Sequence, residues 1–267
     1  EIKKDVLFIG EGWKMYNGEK GTVGMDQNYM KKTEKVAVFN DEFRDLAKAG
    51  GMSEAGQGFL TGKKISVPDL FCNCCGKPVH NYSVTKPSSN VQYFACHDGL
   101  TLHDSIVNNM SIDESTEEGK IIAVNRIKLA NALLLTSQGI AFLHAGQERG
   151  RTKPAFTTAG TSDGETIGNF VKNSYDSSDN INNFVWNLSD LNKDLFEYTK
   201  NLIALRKNNS AFTISTQDEV MSRISLLGEY CEDFFMAYKI LDEKGDWYLF
   251  FNSDMQDKSI DLNLEGK

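Results

Sequence analysis

Four short apolar runs mark the first half of the chain: Val6–Ile9, Val36–Phe39, Val91–Cys96 and Ile140–His144. The first is unbroken by polar residues, the pattern of a strand buried on both faces. Helical spacing follows the later runs. In "EEGKIIAVNRIKLANALLLTSQG" the apolar positions include Ile127, Ala130 and Leu134, and Gly139 falls where a helix end favours positive φ. "NDEFRDLAKAGG" predicts a short helix after the second run. "LFEYTKNLIALRKNN" predicts another after the fourth, with Phe196, Leu202 and Ile203 near one face. Strands alternating with helices predict parallel βα units.

Two stretches break the rhythm. Residues 51–90 are rich in Gly, Ser, Asn and Pro and read as an irregular insertion; residues 152–190 are polar and loop-like. From about Ala211 the texture changes. "RISLL", "FFMAYKILD", "DWYLFFNSD" and "KSIDLNL" predict an antiparallel sheet, with Lys244-Gly245 as one of its turns. The expected organisation is an α/β region over residues 1–210 and a β-rich domain over 211–267.

Composition narrows the partners. The 267 residues are 40% hydrophobic and 25% charged, with a net charge of −8, an ordinary globular balance that supports a sizeable core. Basic residues are not interleaved with aromatics, so nucleic acid is a poor partner, and no stretch of eighteen apolar residues spans a membrane. Glu1 stands close to a core strand, without an initiator Met or a signal-peptide pattern, which predicts a trimmed or partial chain. Cys72, Cys74, Cys75, Cys96 and Cys231 are odd in number and crowded in "FCNCCGKPVH". They do not form a disulfide framework, and they favour a reducing compartment such as the bacterial cytoplasm. Zinc on Cys72, Cys74, Cys75 and His80 fits poorly, because zinc thiolates are usually spaced C-x2-C or wider. No cofactor is called for, and calcium finds no support in the sequence.

Chemically loaded residues follow each strand candidate: Glu11 and Trp13; Asn40, Asp41 and Arg44; His97 and Asp98; Gln147 and Glu148. In a parallel α/β barrel all strands deliver their carboxyl ends to one face, which holds the active site. No P-loop, dinucleotide fingerprint, serine nucleophile elbow or histidine metal triad is present. Several carboxylates, a histidine and aromatic platforms suit glycoside hydrolysis, which needs a proton donor, a second carboxylate and groups that favour an oxocarbenium-like transition state.

"FIGEGW", "FNDEFRD", "VQYFACHDGLTLHD", "LLLTSQGIAFLHAGQERGRTK", "NSYDSSDNINNFVW" and "LIALRKNNSAF" together resemble type I pullulanases, debranching enzymes of the α-amylase superfamily. The resemblance runs in order along nearly the whole chain. It implies a (β/α)₈ barrel followed by a β-sandwich, this chain carrying the fifth to eighth barrel strands and much of the sandwich. The implied substrate is an α-glucan, with α-1,6 branch linkages of pullulan, glycogen or limit dextrins cleaved with retention.

Carried over residue by residue, Glu11 matches the general acid/base. The apolar run before it predicts a poorly solvated carboxyl that keeps its proton available. Asp98 matches the acid that stabilises the transition state, and His97 its partner on the sugar hydroxyls. Gly99 stands where many relatives carry Asn. Trp13 is expected to stack on the leaving-group sugar, and Asn173, Tyr175, Asp176 and Asp179 to line the cleft. Thr101-x-x-Asp104 resembles a capping box. Asn40, Asp41, Arg44, Asp45, Glu148 and Arg149 read as structural braces. The family's nucleophilic aspartate sits in a G-F-R-x-D motif that does not occur here, so the expectation is that an N-terminal half of the barrel, upstream or on a separate chain, supplies it. By itself the chain is then expected to be inactive and poorly soluble. The rival expectations are an isoamylase or branching enzyme, a non-catalytic glucan-binding piece, and a zinc module.

Overall fold

The structure, a computed structural model, describes residues 6–11, 27–48, 54–156 and 163–262. Trp13 lies outside them. Four strands, β1 (Phe8–Gly10), β2 (Val36–Phe39), β3 (Asn90–Gln92) and β4 (Ile140–Ala141), pair in parallel in that order. The helices α1 (Asp41–Ala47), α2 (Val67–Cys74), α3 (Leu102–Met110) and α4 (Glu117–Thr136) alternate with them. A small antiparallel ribbon follows, β5 (Glu165–Ile167) with β6 (Phe170–Lys172), then α5 (Asp179–Asn182), α6 (Asp190–Asn208) and α7 (Gln217–Arg223). The antiparallel sheet β7 (Ile224–Leu226), β8 (Phe235–Ile240) and β9 (Trp247–Asn252) closes the described chain.

Local chemistry fixes the helix ends. Asn40, Ser66, Thr101, Thr116, Ser189 and Thr216 each place a side-chain oxygen on an N–H of the first turn of α1, α2, α3, α4, α6 and α7. Such caps are typically worth about 1 kcal/mol each. At the far end of α4, Arg206 from α6 donates to the carbonyls of Leu135, Ser137 and Gly139 at 2.6–2.9 Å. Gly139, with φ +101°, makes the turn into β4 that the sequence placed there.

Several expectations need correction. Val6–Ile9 is not a doubly buried strand: Phe8 and Ile9 are 47% and 56% exposed, because β1 is the edge of the sheet and β2 is its one neighbour among the described residues. β3 ends at Gln92 although Tyr93, Phe94 and Ala95 are buried, since an apolar run reports burial and not ladder pairing. Residues 51–90 are not wholly irregular, for they hold α2, announced by Ser66 as cap and Pro68 in the first turn. The described part of "KSIDLNL" forms no strand. The capping box at Thr101 is half made: Thr101 accepts from the Asp104 N–H at 3.1 Å, while Asp104 turns its carboxylate to Thr152 and Lys153.

One apolar cluster runs from the α/β layer into the antiparallel sheet. It joins Phe43, Phe94, Ile127 and Leu134 to Met236, Tyr238 and Phe251. Cys74 and Cys75 belong to this core, and burial pushes the Cys74 thiol up to about 12. Beneath the sheet a polar net is satisfied internally. Asn40 donates to Asn73 and Gln92 at 2.9 and 3.0 Å, and Asn73 donates to Glu42 at 2.7 Å. Burial opposes the charge on Glu42, but the Asn73 amide and the backbone N–H groups of Val79, His80 and Asn81 outweigh it and hold the carboxyl below its usual range.

Candidate functional site

The parallel register sends the chain out of β1, β2, β3 and β4 at one edge. Three rings, Phe39, Tyr93 and Phe142, pack edge-on at that edge with centroids 4.9–6.5 Å apart. Glu11 follows β1 and Asp41 follows β2. Asp41 feels the charge of Glu11 as one of the influences that raise its pKa; burial is the largest, opposed by the Tyr93 hydroxyl and Arg44. Tyr93 Oη donates to Asp41 Oδ1 at 2.5 Å, and Arg44 reaches Tyr93 Oη at 2.6 Å and Asp45 at 2.8 Å. Among the described residues Glu11 is exposed, following a strand whose Phe8 and Ile9 are exposed as well.

His97 and Asp98 stand on the loop after β3, with His97 Nε2 3.2 Å from Asp98 Oδ1 and both side chains about 60% exposed. The Tyr175 ring meets the His97 ring edge-on, centroids 6.1 Å apart. Asn173 binds the next residue of the loop twice, accepting from the Gly99 N–H at 2.7 Å and donating its own N–H to Gly99 O at 3.0 Å. The structure thus brings His97, Asp98, Asn173 and Tyr175 together. Asp176, on the β6–α5 connection, and Asp179, the first residue of α5, are both exposed.

Beneath this surface lie groups the sequence reading passed over. Lys153, 4% exposed, donates through Nζ to Ser174 Oγ. Its backbone N–H binds Asp104 Oδ2 at 2.9 Å, and Asp104 Oδ1 takes the Thr152 hydroxyl at 2.5 Å and His103 at 3.0 Å. Burial, then the neighbouring Arg151, brings the Lys153 ammonium down to about 8. His144 is brought down to about 4 by burial and then by the charges of Lys153 and Arg151. Lys48 in turn is paired with Glu54 at 2.6 Å, both buried. The signal available in the sequence was the lysine of "GRTK", a charge among residues otherwise read as loop.

The braces are visible as well. Arg149 donates to the carbonyls of Val185 and Trp186 at 3.2 and 2.7 Å, and its guanidinium lies 5.0 and 5.2 Å from the ring centres of Phe184 and Trp186. Of the four residues weighed for zinc, Cys74 and Cys75 are buried in the core, while His80 lies outside at 3.2 Å from Asp69. A cleft of about 530 Å³ elsewhere in the fold is lined by Glu219, Arg223 and Asp242, which already pair with one another.

No family model matches the chain. Pullulanase A of Streptococcus pneumoniae is 39% identical over 163 residues, covering 59% of this chain, and this chain spans 13% of that protein's length. The product complex of a multi-modular glycogen-degrading pneumococcal virulence factor superposes with a TM-score of 0.88 at 32% identity, covering 97% of this chain and 30% of that one. A Group B Streptococcus pullulanase superposes with a TM-score of 0.86 at 34% identity over 95% of this chain and 36% of its own. That enzyme has also been solved with maltotetraose. In sequence and backbone the chain is similar to part of each of these glycan-degrading proteins, two of them pullulanases, and it spans between 13% and 36% of their lengths.

Proposed function

We propose that these residues form the second half of a (β/α)₈ barrel, strands five to eight, with a β-sandwich beginning near Ala211. In the intact protein that barrel hydrolyses α-1,6 branch linkages of pullulan, glycogen or limit dextrins with retention. Glu11 protonates the departing sugar oxygen and later deprotonates water. Asp98 and His97 bind hydroxyls of the sugar at the cleaved bond, in contacts that tighten as positive charge develops on the ring. Trp13 stacks on the leaving-group side, and Asn173, Tyr175, Asp176 and Asp179 line the cleft. The nucleophilic carboxylate comes from outside these 267 residues.

One observation carries this assignment. His97 and Asp98 lie side by side at the carboxyl edge of a parallel sheet, with the Tyr175 ring standing against His97. A hydrogen-bonding pair beside an exposed aromatic is suited to a sugar ring, which offers hydroxyls at its rim and C–H groups on its faces. The test is hydrolysis of pullulan by the intact protein, followed by NMR of the anomeric signals. Loss of α-1,6 signals with first formation of the α-anomer is expected. Binding of pullulan without turnover would instead make the protein a glucan-binding module, and chain lengthening at new branch points would make it a branching enzyme.

A further inference from the structure

We infer that Lys153 is a positioning residue for glucan binding, holding Tyr175 against His97 through its hydrogen bond to Ser174. The inference rests on the glucan assignment above. Ser174 is the residue between Asn173, tied to Gly99, and Tyr175, set edge-on to His97. It is gripped at both of its oxygens. Lys153 Nζ donates to Oγ, and Asn182 Nδ2 donates to the carbonyl at 2.6 Å, with Arg151 donating to Asn182 O at 2.5 Å behind it. Tyr175 itself is 69% exposed, so its place on the surface is set by its buried neighbour and not by packing of its own ring.

A buried ammonium resting on a neutral hydroxyl is costly, and a methionine would fill the same volume more cheaply. What the charge adds is a stronger, directional hydrogen bond. The groups that face it set when the charge is present. Burial and Arg151, on its own segment, disfavour it, while His144 on the loop after β4 is itself brought down to about 4 and adds no charge near pH 8. Asp104 on α3 and Cys96 after β3 favour it, but both Asp104 oxygens are already engaged and burial pushes the Cys96 thiol up. Lys153 therefore loses its proton near pH 8, where most lysines stay charged. The grip on Ser174 weakens there, and the affinity for malto-oligosaccharide falls with it.

The experiment is calorimetric titration of the intact protein with maltotetraose from pH 6.5 to 9.5, for the wild type, Lys153→Met, Lys153→Arg and Ser174→Ala. In the wild type the affinity should fall about tenfold as pH rises through 8, the difference between a charge-assisted and a neutral hydrogen bond. Lys153→Met should bind about tenfold more weakly at every pH, with no step. Lys153→Arg should keep the neutral-pH affinity without the step. Ser174→Ala, which leaves the lysine in place, should lose the step too, and it carries the test should Lys153→Met fail to fold. Wild-type binding that is flat through pH 8, or equal affinity in all four proteins, would overturn the role of Lys153 and leave the glucan assignment standing. A wild type that binds no maltotetraose would overturn both.

Discussion

Gly99 and Asn173 hold each other across 74 residues of chain, each giving a backbone N–H or accepting one, and both sit in the left-handed region with φ +69° and +52°. This clasp joins the loop that carries His97 and Asp98 to the loop that carries Tyr175. Neither backbone is comfortable for an ordinary residue, and Asn is among the few side chains that tolerate it. The joint is therefore built at some conformational cost, as is common where geometry serves binding.

Gly99 is also confined. A Cβ there would stand 2.0 Å from Glu54 Oε1, and Glu54 is held in place by Lys48. Gly99→Ala should destabilise the protein by about 2 kcal/mol, from positive φ together with the clash. Glu54→Ala should cost about 3–5 kcal/mol, because it strands the buried Lys48 ammonium. The double variant should cost less than the sum, since the clash is then gone. Chemical denaturation of the four proteins measures the coupling; strict additivity would show that Glu54 does not restrain Gly99.

How far the sequence discloses this site depends on the kind of signal. Helices α4 and α6 are legible, because both are long and apolar positions such as Ile127, Ala130 and Leu134 of α4 recur at helical spacing. His97, Asp98 and Tyr175 were singled out as chemical residues in motifs. Lys153, Glu54 and Lys48 are not, because a buried charge leaves no periodicity, whether its partner is 21 residues away, as for Lys153 and Ser174, or six, as for Lys48 and Glu54. An apolar run such as Val6–Ile9 likewise does not say whether its strand is central or, as among the described residues, at an edge. The spacing Thr101-x-x-Asp104 reads as a capping box, whereas the Asp104 carboxylate ties α3 to the Thr152–Lys153 segment.

The His103 ring binds Asp104 at 3.0 Å and Glu114 at 2.8 Å. Burial opposes its charge, but the two carboxylates outweigh burial and raise it from 6.5 to about 9. A pKa raised on folding stabilises fully below the unfolded value, and the contribution is lost as pH rises through the folded one. His103 should therefore stabilise the fold at pH 6, with the contribution fading up to about pH 9. His103→Gln should lower stability by about 2 kcal/mol at pH 6 and by little at pH 10. Thermal unfolding at the two pH values checks this; an equal loss at both would assign His103 a packing role only.

Tyr93 ties Asp41 and Arg44 into one buried unit. Tyr93→Phe keeps the ring packed against Phe39 and removes only the hydroxyl. Asp41 then loses a donor while still largely buried, so the variant should lose about 1–3 kcal/mol, the usual cost of leaving a buried polar group without its partner. Tyr93→Leu, which also abandons the ring, should lose more. Equal losses in the two would mean that the hydroxyl adds nothing.

The sharpest prediction separates Glu11 from Asp98 by the proton. On the proposed assignment, Glu11→Ala in the intact protein removes the donor to the departing sugar oxygen, so pullulan cleavage should fall by about 10²–10⁴-fold. A glycosyl fluoride needs no proton on its leaving group, so the first step with it should survive in Glu11→Ala and stall afterwards for want of a base. Asp98→Asn should behave differently. The contacts proposed for it belong to the transition state itself, so kcat should fall on pullulan and on the fluoride alike, with KM changed less. Rapid-mixing kinetics with both substrates reads the difference. Glu11→Ala failing equally on both would make Glu11 structural, and Asp98→Asn changing KM alone would make Asp98 a ground-state binder.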